Sequence, residues 1–227
     1  MDVSTLNAKQ AAKAVSLFNA KYFEMEQALY CLSKHCRGDL LKGNSSGVVE
    51  ALVWTIKSWW GVQGVRFETK ALAAQALSKM IWIQDHFEET SNIHPNAEEF
   101  AYERVSELVS AMVNLGVSRQ EFSLSSKILH CLSPWQIPVY DSFVRKSIGI
   151  PTTWNHHEAY LKIIHWQFSA IGKLSEEGVI WTGDIVPKSP LRALDKYMWW
   201  LGGGSECKAV VVREPWKIIN QLGIVPS

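Results

Sequence analysis

The sequence predicts a mainly α-helical fold. Three observations carry this. Apolar residues recur at helical intervals along most of the chain, Gly, Pro and capping residues punctuate those runs, and only 209–213, with three consecutive Val, reads as a strand. One short strand makes no sheet, so the expectation is a helical body with at most a short β element near the C-terminus. The 227 residues are read as one helical domain over 1–227, divisible into an N-terminal half 1–116 and a second half 117–227.

The elements follow in order. Residues 7–36 carry Ala, Leu, Phe and Tyr with helical recurrence, and Gly38 is expected to end that helix. A Gly-Asn-Ser-Ser-Gly loop follows at 43–47. Residues 48–60 read as a second helix, apolar enough to be well buried, and Gly61 and Gly64 break the chain after it. Thr69 is suited to cap a third helix reaching about 87. The fourth helix is preceded by Pro95-Asn96, has Glu98 and Glu99 in its first turn where the dipole favours anions, and stops before Gly116. Val105, Leu108, Val109 and Met112 give it one apolar stripe, as a scaffold helix needs. Two short helices are expected at about 119–132 and 141–149, a longer one at 156–171, and a last one from Ser189-Pro190 to Gly202-Gly203-Gly204.

Composition bounds the function classes. Hydrophobic residues are 47% and charged residues 20%, enough for a real core. Net charge is +1, so no bulk basicity advertises nucleic acid, and any such partner must be met by a local basic face. The 11 Trp suit both a core and stacking on ligands or bases. Cys31 and Cys36 flank His35, but no second ligand pair follows at zinc-site spacing, and Cys131 reads as a small core residue. No metal or cofactor is expected. Asp2, Lys9 and Lys13 interrupt what would be the apolar core of a signal peptide, and no run reaches membrane-spanning length. The expectation is a soluble, cytoplasmic protein with no membrane partner; protein partners are not indicated.

The chemistry-bearing residues concentrate around the two short helices. Leu124, Ile128, Leu129, Cys131 and Leu132 form the apolar side of the first. Ser123, Ser126, Lys127 and His130 recur at three, four and seven on a polar side. Pro134 stops that helix and biases Ser133 towards an extended conformation. Asp141 then heads the second helix, where its carboxylate can cap backbone N–H groups and the helix dipole favours the anion. Arg145 and Lys146 follow one turn on. From the bare pattern, a solvated lysine and a capping aspartate are the plainer reading.

The stretch SSKILHCLSPWQIPVYDSFVRKSIG, 125–149, resembles the catalytic core of the helix-hairpin-helix DNA glycosylases, most of all their compact bacterial 8-oxoguanine-glycosylase-like branch. Lys127 matches the family's nucleophilic lysine and Asp141 its catalytic aspartate. LRALDKYMWWLGG, 191–203, looks like the C-terminal helix of short bacterial members. Where the family carries a Gly-x-Gly turn before the lysine, this chain has Phe122-Ser123-Leu124-Ser125-Ser126, so serine hydroxyls and helix-terminal N–H groups would take over the grip on phosphate. The four-cysteine iron–sulfur motif of some members is absent.

The resemblance implies a DNA glycosylase, with or without AP-lyase activity, acting in repair or in defence against phage with modified bases. Its partner would be DNA with a flipped-out damaged or modified base. Lys127 would attack C1′ while Asp141 stabilises the positive charge on the sugar. Ser123, Ser125, Ser126, Arg145 and Lys146 would contact DNA; His130, Asp195 and Trp199 would line the base pocket. For Asp195 a surface ion pair, and for Trp199 a core-edge indole, are the rival readings. Two other classes stand beside the enzyme: a non-catalytic DNA-binding module of the same fold, and a helical protein-interaction scaffold.

Overall fold

The computed structural model of the chain describes residues 2–42, 47–60, 67–80, 93–176, 189–206 and 214–223. Among the described residues there are nine α-helices and no strand: α1 Ala8–Leu41, α2 Gly47–Trp59, α3 Phe67–Ser78, α4 Ala97–Asn114, α5 Phe122–Leu132, α6 Ser142–Ser147, α7 His156–Glu176, α8 Pro190–Leu201 and α9 Pro215–Gln221. The mainly α-helical expectation therefore holds. The strand expected at 209–213 lies outside the described residues.

Several helix ends differ from the sequence reading. α3 begins at Phe67, so Thr69 lies inside its first turn rather than at its cap, and α7 runs past 171 to Glu176. α1 runs through Gly38 to Leu41. A helical Gly costs about 1 kcal/mol relative to Ala, and the burial of Leu40 beyond it offsets that cost. α3 closes at Ser78, well before 87, where i→i−3 bonds from Lys79 to Ala76 (3.1 Å) and from Met80 to Leu77 (3.1 Å) tighten its last turn. α4 matches its punctuation. Gly116 adopts φ +103°, and the Val117 N–H returns to the Met112 carbonyl at 3.0 Å, as a left-handed terminator requires.

The residues form two compact units interleaved along the chain. The first comprises Met1–Phe23, Ser91–Glu103 and Pro134–Ala209; the second comprises Glu24–Thr90, Arg104–Ser133 and Val210–Ser227. In the first unit α6 packs on α8, and α7 contacts both. Gly202 lets α6 and α8 come together: a Cβ there would sit within clashing distance of the Phe143 backbone. The Tyr160 hydroxyl donates to the Pro138 carbonyl at 3.0 Å and so ties α7 to the segment leading into α6. At the N-terminus, Lys173 on α7 donates to the carbonyls of Val3 (3.2 Å) and Ser4 (2.8 Å).

In the second unit α2 packs on both α3 and α5. Every residue of α5 except Ser123 is buried. The helix is amphipathic in sequence, yet its polar face also lies inside the protein. That placement makes its hydroxyls, amine and imidazole the natural place to look for chemistry.

Candidate functional site

Lys127 is 5% exposed, and its Nζ donates to the backbone carbonyl of Trp60 at 3.2 Å. That carbonyl lies just past the end of α2, where the Trp60 N–H still bonds to Ile56 at 2.9 Å. One turn along α5, the His130 ring lies 6.1 Å from the Trp60 ring and 6.5 Å from Tyr30 on α1. Ser33, three residues after Tyr30, donates its hydroxyl to the Cys131 carbonyl at 2.7 Å and so fixes α1 to α5. The second unit thus gathers buried Ser33, Lys127 and His130 with half-buried Tyr30 and Trp60 into one cluster.

The three serines expected at DNA diverge. Ser123 keeps partial exposure. Ser126 is buried, with its hydroxyl donating to the Ser123 carbonyl at 3.3 Å. Ser125 is buried with its hydroxyl on the Met112 sulfur at 3.6 Å. A phosphate contact expected from Ser125 gives way to packing, because its position on α5 faces α4 within the same unit. Just before α5, burial raises the Glu121 carboxyl above its ordinary range, and Arg119 at 3.4 Å opposes that rise.

Asp141 belongs to the first unit. Its backbone is extended (φ −152°, ψ 178°) and its Oδ1 accepts from the Val144 N–H at 2.8 Å, the cap read from the sequence. Its carbonyl accepts from the Arg145 N–H at 3.0 Å. The Arg145 guanidinium turns back on its own loop, donating to the Tyr140 hydroxyl at 3.0 Å and to the Pro151 carbonyl. Half-exposed Arg145 thus braces its own loop, whereas Lys146 beside it is exposed. Tyr140 Oη lies 2.7 Å from His156 Nδ1 at the head of α7. Burial raises the Tyr140 phenol above its ordinary range, and Arg145 opposes that rise.

On α8 the expected pocket residues are buried more deeply than one amphipathic face predicts: 191–198 are all buried. Arg192 and Asp195 form an ion pair one helical turn apart, with both side chains nearly inaccessible. This removes the surface-ion-pair reading of Asp195, since a pair taken out of water must be held by its own geometry. Arg192 and the buried Lys196 both lie 5.0 Å from the Phe18 ring, and Lys196 donates to Asn19 Oδ1 at 2.7 Å. Trp199 is half-buried, edge-on to Phe18 (5.1 Å) and Tyr22 (6.0 Å), which is the core-edge indole weighed against a pocket role.

Lys127 and His130 are therefore gathered in the second unit, while Asp141, Arg145, Lys146, Asp195 and Trp199 belong to the first. Sequence reasoning missed Tyr30, whose separation from Lys127 in the chain leaves no local pattern; Trp59-Trp60 reads from sequence as a candidate pocket wall, with core burial the plainer reading. It also missed Tyr140 and His156, although Tyr140 stands beside Asp141 inside the motif. Comparison with known protein families, curated proteins and solved structures gave no match.

Proposed function

We propose that this protein is a DNA glycosylase of the helix-hairpin-helix type that excises a damaged or modified base, with Lys127 as nucleophile and Asp141 as the electrostatic partner. The observation that supports this most is the burial of Lys127 on a polar helix face. A lysine that merely solvates a surface would extend into water, yet this ammonium is held against a backbone carbonyl beside an imidazole and an indole. Burying such a charge is costly, so its retention needs a reason beyond solubility.

The chemistry follows from the residue types. The Lys127 ammonium first gives up a proton, the amine lone pair forms the bond from Nζ to C1′ as the N-glycosidic bond breaks, and the base leaves with the bonding electron pair and takes up a proton. Positive charge on the sugar is greatest during this exchange, and the Asp141 carboxylate stabilises it. Opening of the sugar ring then gives a Schiff base between Nζ and C1′. Loss of the 2′ proton from that species breaks the C3′–O bond, and the 3′ phosphate leaves with the electron pair, cleaving the strand by β-elimination. Reaction requires the Lys127–Trp60 hydrogen bond to open, freeing the amine for C1′.

A second reading is a DNA-binding module of the same fold without catalysis. It is favoured by the fact that Lys127 and Asp141 each already serve a structural hydrogen bond. The test is base release from duplexes carrying oxidised, alkylated and phage-type modified bases. Lys127→Gln should abolish release while DNA binding persists; unchanged release in the variant contradicts the enzymatic reading. A helical interaction scaffold, the third class, predicts no salt-dependent affinity for DNA, because it neutralises no phosphates.

A further inference from the structure

The segment that carries Asp141 is held by a hydrogen-bond chain whose direction can be deduced. A guanidinium only donates, so Arg145 Nη1 gives a hydrogen to Tyr140 Oη at 3.0 Å. The phenol has one hydrogen of its own, and His156 Nδ1 lies 2.7 Å away. Burial holds the phenol protonated, so that hydrogen is there to donate. Donation of that hydrogen to His156 Nδ1 requires the imidazole to carry its proton on Nε2. That tautomer makes a chain running Arg145 → Tyr140 → His156.

Two of these residues adjoin Asp141, and His156 holds one of them. Tyr140 precedes the aspartate, and the Arg145 N–H binds its carbonyl. The guanidinium bridges from Tyr140 to the Pro151 carbonyl, closing a loop around α6. Tyr160 braces the Tyr140 ring edge-on at 5.9 Å and anchors Pro138 through its hydroxyl. Tyr140 meets His156 from the facing segment, the adjacent His157 pairs with Tyr102 at 3.0 Å, and Glu158 and Tyr160 follow on the same helix.

We infer that Tyr140, Arg145 and His156 are positioning residues for Asp141, and that a second proton on His156 releases the segment they hold. This rests on the glycosylase reading for its consequence in catalysis, but not for the chain itself. When Nδ1 is protonated it becomes a donor. Tyr140 Oη then faces two cationic donors, Arg145 and His156, and their mutual repulsion weakens the bond across to α7. Asp141 loses its fixed register, and base release slows as pH falls.

The test has two arms on the full chain. Nitrogen-15 NMR of the histidine ring should show His156 as the Nε2–H tautomer at neutral pH, with that preference lost in Tyr140→Phe. The Val144 amide, bound to Asp141 Oδ1, should lose exchange protection by about tenfold or more in Tyr140→Phe, and in wild type as pH falls through the range, about 8 to 5, where histidines charge. Kinetically, Tyr140→Phe and His156→Gln should lower kcat on the order of tenfold with KM unchanged, and His156→Gln should flatten the acid limb of the pH profile. An Nδ1–H tautomer, or unaltered Val144 protection in Tyr140→Phe, overturns the chain. Intact kcat and an intact acid limb in both variants of an active enzyme overturn the positioning role. Absence of base release in wild type alongside the expected NMR result sinks the glycosylase reading and leaves the chain standing.

Discussion

At the scale of single residues, Asp141 shows how a structural and a chemical role are separated. Its capping bond to Val144 depends on a side-chain oxygen, which Asn also supplies, whereas stabilising a cationic sugar depends on the negative charge. Asp141→Asn should therefore retain stability to within a few tenths of a kcal/mol while base release falls on the order of a hundredfold. Asp141→Ala should cost about 1 kcal/mol in denaturant unfolding as well. Equal activity in the Asn variant and wild type would leave Asp141 as a cap only. Cys36 offers a test of burial itself. Burial pushes its thiol from 9.0 up to about 12. The unfolded chain releases this proton from pH 9 upward while the folded one holds it. Stability should fall by about 1.4 kcal/mol per pH unit between pH 9 and 12 from this group alone. Comparing wild type with Cys36→Ala isolates the effect, because tyrosines and lysines common to both proteins cancel; parallel curves would contradict it. At this scale the sequence disclosed residue types and neighbours, such as the cap at Asp141. It did not disclose burial, so Ser125 read as a phosphate contact although its hydroxyl ends on a methionine sulfur.

At the scale of elements, periodicity and punctuation located most helices but not how they are covered. α4 was readable from end to end because its acidic first turn and Gly116 are local signals. α5 was readable as a helix, but its polar stripe suggested an exposed face. The stripe is buried because Ser33, Tyr30 and Trp60 bring polar groups to it, and none of these is near it in sequence. The triple glycine after α8 read as a stop. Its first member is also a point of contact, since Gly202 lies against the Phe143 backbone. Gly202→Ala should force α6 and α8 apart and cost about 1–3 kcal/mol, seen as a lower denaturant midpoint. An unchanged midpoint would mean that the two helices are not held at this separation.

At the scale of the whole molecule, the division into units was the least legible feature. The chain passes from one unit to the other inside α1, between Phe23 and Glu24, and inside α4, between Glu103 and Arg104. No Gly, Pro or polar linker marks either place, so composition could not reveal them; among the described residues, the passage at Ser133-Pro134 does coincide with a break visible in the sequence. Lys127 and Asp141 fall on either side of that break. The central claim is that Lys127 acts at the sugar carbon as a covalent nucleophile. Borohydride trapping tests it most directly, because hydride transfer to the Schiff-base C=N leaves a stable amine linking protein to DNA. With duplexes carrying a panel of oxidised, alkylated and phage-type modified bases, wild-type protein should yield a covalent adduct on at least one, mapped to Lys127 and absent from Lys127→Gln. An adduct that persists in Lys127→Gln, or none from wild type across the panel, would contradict it.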